Sequence, residues 1–225
     1  MKICKYGITL NRLRPEDLEF VREKRNSEKA DPANDSAGEI TPEMQQNWFN
    51  SINNTDNFYY IIENKGVRIG MLNTRIMDWQ AKTSESELLL WDESFGQTEV
   101  PVLALLCMLE VEFYYLNWNV SYIRIKTNNP KAIENAVSLG YELTEGKETV
   151  ENQLYFLTRE LFENKGKNAQ LAAQAFLDKE SGDGYLLLEP IDYESGIAQK
   201  IEQHITESGI YLHRKGKAGS RMYFR

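Results

Sequence analysis

The sequence predicts an α+β fold, a mostly antiparallel sheet flanked by helices, with a small α+β appendage at its C-terminal end. Three stretches carry that prediction. Residues 119–143, NVSYIRIKTNNPKAIENAVSLGYEL, read as strand, polar turn, short helix and second strand. Residues 58–63 and 67–77 form two strands joined by Asn64-Lys65-Gly66, a hairpin signal. Residues 101–117 are apolar nearly all round, so a helix there must be covered on most sides, as a central helix on a sheet is.

Local chemistry justifies each element in turn. Residues 8–13 alternate apolar and polar as a half-buried strand does. Arg14-Pro15-Glu16-Asp17 opens a helix with an early proline and acids in the first turn, and Leu18, Phe20 and Val21 begin its apolar face. Residues 27–40 are a long polar loop. Thr41 caps the next helix, with Pro42 at its first position and Trp48, Phe49 and Ile52 along it. A third strand covers residues 85–91, and residues 92–100 form a loop before the apolar helix. In residues 119–143, Val120, Tyr122, Ile123 and Ile125 suit a strand. Asn129 is the cap and Pro130 the first helical residue. Ala132, Ile133, Ala136 and Val137 are expected on one helix face, and Gly140 at the C-terminal cap. Residues 140–145 and 153–159 make a closing strand pair.

The stretch 164–168 marks a boundary. Beyond it the pattern predicts a helix at 169–177, a turn at 181–184, a strand at 185–189 and an amphipathic helix at 193–207. A hairpin follows, 210–215 with 220–225, through Gly216-Lys217-Ala218-Gly219. The expected division is therefore 1–163 and 164–225.

Composition excludes several classes. A net charge of −8 argues against nucleic acid as a main partner. The charge is uneven: residues 1–164 hold 17 basic against 26 acidic residues, and the basic end carries Arg214, Lys215, Lys217, Arg221 and Arg225. An acidic face could attract a cationic amine, or simply be solvated. No apolar run reaches membrane-spanning length, and the first residues lack a secretory apolar region, so a cytoplasmic location is expected. Cys4 and Cys107 read as two buried thiols, and with only two histidines no metal-ligand set is present.

The run Asn129, Ala132-Ile133, Leu139-Gly140-Tyr141 resembles the second half of the GNAT N-acetyltransferase fold at that family's spacing. The opening ITLNRLRPEDLEFVREKRN and the later Ile-Thr-x-Glu with Trp48-Phe49 look like its RimJ/RimL-type and amino-sugar-modifying branches. The order of elements over residues 6–163 is similar to the family's throughout. The resemblance implies a mixed acyltransferase sheet, acetyl-CoA as co-substrate and a small-molecule or peptide amine as acceptor. With no apolar run of spanning length no membrane partner is expected, and a homodimer is left open.

Site residues follow from the same resemblance. The family's diphosphate site is a glycine-rich loop meeting the N-terminus of the central helix, where free N–H groups favour an anion. The equivalent stretch here is Ser94-Phe95-Gly96-Gln97-Thr98-Glu99-Val100-Pro101, in which Gly96 fits and Thr98 stands near a position for a small residue. Thr98 and Glu99 also suit plain helix capping, and Glu99 would set a carboxylate beside the phosphates. Glu87 is the carboxylate placed by order to act as base, or it faces solvent. A backbone N–H at Leu90 would hold the thioester oxygen. Asn129 would reach the pantetheine arm, or serve only as a cap. The family's usual tyrosine on the short helix is replaced by Ala136, with Asn135 beside it. Two functions stay open: an N-acetyltransferase, or a degenerate GNAT-like binding or assembly module without turnover.

Overall fold

The computed structural model describes residues 1–29, 38–176, 184–207, 212–215 and 219–224. Its strands are β1 (Lys2–Lys5), β2 (Ile8–Arg12), β3 (Phe58–Asn64), β4 (Val67–Asp78), β5 (Thr83–Leu90), β6 (Val120–Lys126), β7 (Glu142–Leu143), β8 (Asn152–Thr158), β9 (Tyr185–Leu188), β10 (Leu212–Lys215) and β11 (Arg221–Phe224). They form one sheet in the order β10-β11-β9-β1-β2-β3-β4-β5-β6-β8-β7. Every neighbouring pair is antiparallel except β5 and β6, which run parallel.

The helices are α1 (Leu18–Lys29), α2 (Pro42–Ile52), α3 (Val100–Glu110), α4 (Pro130–Ser138), α5 (Arg159–Asn164), α6 (Lys167–Ala173), α7 (Pro190–Glu194) and α8 (Ile197–Glu207). Predicted caps account for several ends. Thr41 accepts from Met44 N, Asn129 accepts from Ala132 N, and Gly140 ends α4 at φ +100°. Lys65 and Gly66 both take positive φ, the two-residue turn that joins β3 to β4.

Two cores sit on opposite faces of the sheet. Alternation along β5 separates them: Ser84 and Ser86 are buried towards α3, while Glu85, Glu87 and Leu89 face the other way. The larger core gathers α3, whose Ala104, Leu106 and Leu109 are fully covered, with Phe113, Trp118, Phe162 and Ile201. Burying each leucine, isoleucine or phenylalanine among them is worth about 1.5–3 kcal/mol. The smaller core holds Leu13, Leu18, Val21 and Phe49 against Ile61 and Met71, so α1 and α2 cover β3 and β4.

The structure corrects several local expectations. A first strand, β1, precedes the predicted one; Tyr6 and Gly7, both at positive φ, turn it into β2. The apolar helix is not continuous to residue 117 but passes at Val111–Tyr115 into a π-helical turn. That turn carries Glu112 into the core, where Ser84 Oγ donates to its Oε1 at 2.9 Å and burial raises its pKa to about 7. Val137, expected on the buried face of α4, is exposed. Gly196, at φ +78°, splits the predicted 193–207 helix into α7 and α8, and residues 159–173 form two short helices with Gly166 between them. Most of the 27–40 loop and of the 181–184 turn, Gly216 to Ala218 and Arg225 lie outside the described residues.

The C-terminal segment enters the sheet through β9, which pairs with β1 from Lys2↔Leu187 to Cys4↔Tyr185. Charge holds the same junction. Asp192 is fully buried, accepts from Arg12 Nη1 at 2.9 Å and meets the amino group of Met1; Glu189 pairs with Arg14. His204 of α8 packs on Trp79 with ring centroids 4.7 Å apart and planes tilted by 49°, and Trp79 meets Trp118 edge-on at 5.0 Å. Among the described residues, no helix is long and apolar enough to cross a membrane, and no group of three metal-ligating side chains occurs.

Candidate active site

The parallel pair β5–β6 frames the candidate site. Its pairing begins at Thr83↔Val120 and ends at Ser86↔Ile123, although β5 continues to Leu90 and β6 to Lys126. Residues 87–90 and 124–126 thus present facing edges that do not pair with each other, while each strand stays paired on its other side. The result is a fork. Trp91 N donates to Ile69 O of the β4 side at 2.9 Å, so the alternation of an antiparallel ladder turns the amides of Leu88 and Leu90 into the fork.

Salt bridges fix the point where the strands part. Glu85 accepts from Arg75 Nη2 at 2.9 Å and from Arg124 Nε at 3.1 Å, tying β4, β5 and β6 together one residue before pairing ends. Behind the fork, Thr74 Oγ1 and Ser86 Oγ contact Met108 Sδ at 2.9 and 3.5 Å, which anchors α3 beneath it.

The loop between β5 and α3 is a 3-10 turn, Glu93–Gln97, capped by Asp92, whose carboxylate accepts from Ser94 N. That Ser94 contact keeps the Asp92 carboxyl below its ordinary pKa. A Cβ built on Gly96 would meet only Leu90 Cδ1 at 4.0 Å, so Gly96 and Leu90 adjoin and the glycine leaves space. Thr98 is occupied locally: its hydroxyl donates to Phe95 O at 2.7 Å and accepts from Val100 N at 3.3 Å. Glu99 is exposed and makes no side-chain cap. With Pro101 lacking an N–H, the first turn of α3 offers few amides.

Glu87 projects from the opposite face of β5, 54% exposed, 3.8 Å from Arg75 Nη1 and accepting from Asn73 Nδ2 at 3.4 Å. It stands in one cross-strand row with Asn73 and Tyr59. Trp48 of α2 meets Tyr59 edge-on at 5.3 Å, and Arg25 of α1 lies over Trp48 at 4.6 Å while donating to Gln45 Oε1. The phenol of Tyr59 is raised by burial and feels Arg75, Glu87 and Arg25. Trp48 therefore lines the edge of this face, whereas Phe49 is core.

Leu90, Gly96 and the start of α3 thus come together at the fork, and Glu87 stands on the strand that forms one of its arms. Asn129 is exposed at the C-terminal end of β6 and spends its side chain on capping α4. Ala136 and Asn135 are buried, and the Tyr141 hydroxyl contacts Ser121 at 3.2 Å in the core, so α4 brings no phenol to the fork. Asn73, Tyr59 and Arg75 escaped sequence reasoning because strand register joins them. The signal that could have found them is the polar Asn73-Thr74-Arg75 interrupting an apolar strand. A separate cavity of about 280 Å³, between Tyr6, Glu110 and Gln170, holds none of these residues.

The family model for the acetyltransferase (GNAT) domain matches residues 8–142. The chain belongs to the GNAT acetyltransferase family. Solved structures with the GNAT fold agree in architecture. FdhC, a nucleotide-linked sugar GNAT in its apo form, aligns with a TM-score of 0.63 and 20% identity over 79% of this chain and 99% of its own. Spermidine N-acetyltransferase from Vibrio cholerae in complex with CoA and spermine gives a TM-score of 0.57 and 16% identity, over 70% and 99%. A domain from Methanocaldococcus jannaschii gives 0.56 and 16%, over 67% and 97%. No curated protein matches the chain.

Proposed function

We propose that this GNAT chain is an N-acetyltransferase that moves acetyl from acetyl-CoA to a primary amine in a ternary complex. The observation that carries the reading is the β5–β6 fork, with the Leu90 amide directed into it and α3 beginning beside it. The fork has unpaired backbone edges of the kind an extended pantetheine arm requires. Gly96 leaves room at the loop, and Thr98 and Pro101 reduce what the diphosphate would find.

Acetyl-CoA supplies an acyl carbon activated as a thioester. The chain supplies orientation, which accounts for much of the rate in such transfers. Leu90 N–H donates towards the position of the carbonyl oxygen. Glu87 takes a proton from the acceptor ammonium, directly or through water, freeing the nitrogen lone pair; Asn73 and Arg75 hold its carboxylate. The C–N bond would form as the C–S bond breaks, and coenzyme A would leave as its thiolate and take up the second proton that the new amide nitrogen sheds; no side chain of α4 is assigned as acid.

A second reading has its own observation. Thr98 occupying the Val100 amide is what a chain without cofactor turnover, acting as a binding or assembly module, would also carry. Thermal unfolding with and without millimolar acetyl-CoA separates the two. Saturation a hundred times over Kd adds about 2.7 kcal/mol; an unchanged melting temperature rejects the transferase reading.

A further inference from the structure

The fork and the loop beside it suit different parts of a donor thioester. The fork offers strand edges at 87–90 and 124–126 that do not pair with each other, a surface along which an extended, amide-bearing arm can lie. An anion at the start of α3 needs free N–H groups, or a cation beside them. Several of the amides there already have acceptors. Phe95 N donates to Asp92 O at 3.2 Å, Thr98 N to Phe95 O at 3.1 Å and Leu103 N to Glu99 O at 3.0 Å. Val100 N donates to the Thr98 hydroxyl at 3.3 Å, and Pro101 has no N–H to give.

Charge points the same way. Residues 91–101 contain Asp92, Glu93 and Glu99 and no Lys or Arg. Asp92 and Glu99 are exposed. Lys24 of α1 stands near enough for Asp92 to feel it, but it lies over the Phe20 ring on the α1/α2 side of the sheet. On the other arm of the fork, Arg124 and Lys126 alternate with Ile123 and Ile125, which pack in the core around α3. Both cations therefore lie on the opposite face, where Arg124 is held by Glu85. A diphosphate at this loop would stand beside Asp92 and Glu99 with few donors, and each charged hydrogen bond it lacks forgoes about ten-fold or more in affinity.

We infer that the donor is recognised through its acyl group and pantetheine arm, and that its nucleotide diphosphate adds no affinity at the start of α3. The inference rests on the reading of the fork as the donor site and concerns which part of the donor that site holds. A short acyl-pantetheine thioester, with no nucleotide, is then a ligand comparable to acetyl-CoA.

Calorimetric titration of the full chain with S-acetylpantetheine, acetyl-CoA and adenosine 3′,5′-bisphosphate tests it without turnover. Acetyl-CoA binds less than about ten-fold tighter than S-acetylpantetheine, ten-fold being the margin of a single charged hydrogen bond. Its affinity does not fall as salt rises from about 50 to about 500 mM, because no phosphate contact is there to be screened. The bisphosphate gives no heat of binding and does not displace acetyl-CoA. A margin of about ten-fold or more, a clear fall with salt, or displacement by the bisphosphate overturns the inference and leaves the transferase reading standing. Failure of both thioesters to bind overturns the two together.

Discussion

Asn73 and Glu87 stand opposite each other across β4 and β5, and the Asn73 carboxamide donates to the Glu87 carboxylate at 3.4 Å. One strand thereby aims a side chain of the next. The pair lies just beyond the residue at which β5 leaves β6, so the carboxylate is carried on the strand whose next amides face the fork.

Glu87→Gln retains the shape and removes the base. Turnover of the acceptor is expected to fall roughly 10²–10⁴-fold, with the acetyl-CoA-induced rise in melting temperature unaltered. Parallel loss of both would assign Glu87 to structure alone.

Thr98→Ala frees the Val100 amide at the start of α3. Loss of the hydroxyl's hydrogen bonds to Phe95 O and Val100 N lowers the stability of the unliganded chain by about 1 kcal/mol. The restored donor enlarges the stabilisation by acetyl-CoA. Melting curves of both proteins, with and without the ligand, read the two effects separately.

Glu112 makes stability depend on pH. Burial lifts its carboxyl from 4.5 to about 7, against the opposing effect of the Ser84 hydrogen bond and of the nearby Ser121 and Thr74 hydroxyls. The folded chain therefore binds this proton more tightly than the unfolded chain. Its contribution is full below pH 4.5 and declines as pH rises to about 7, a loss of about 3 kcal/mol. Glu112→Gln flattens that slope in urea titrations at pH 5 and pH 8; an unchanged slope would assign the dependence to other groups.

Asp192→Asn leaves Arg12 buried beside a neutral amide. Breaking a buried pair from one side costs about 3–5 kcal/mol. A lower urea midpoint with an unchanged m-value is expected, and a shift under about 1 kcal/mol would show that the pair adds little.

What could be read from the sequence was chemistry that acts over a few residues. Asn129-Pro130 and Thr41-Pro42 start helices, and Gly140 stops one, because each decision involves an amide three or four positions away. The apolar run after Pro101 announced its own burial. Relationships set by register were hidden: nothing near Asn73 in the chain says that Tyr59 and Glu87 flank it. The split of β5 from β6 was equally silent, since Leu88, Leu89 and Leu90 read the same whether paired or open. β1 escaped because Lys2 and Lys5 interrupt its apolar pattern over only four residues. The π-helical turn was concealed by the helix pattern it interrupts.

The seam between β9 and β1 has a practical consequence for anyone trimming the chain to its family-matched half. A protein cut after Asn164 would expose the outer rim of β1, with Lys2 and Lys5 as its only charged deterrents to docking with a neighbouring molecule. Light scattering on such a fragment should report more self-association than on the intact chain, in which residues 185–188 zip that rim.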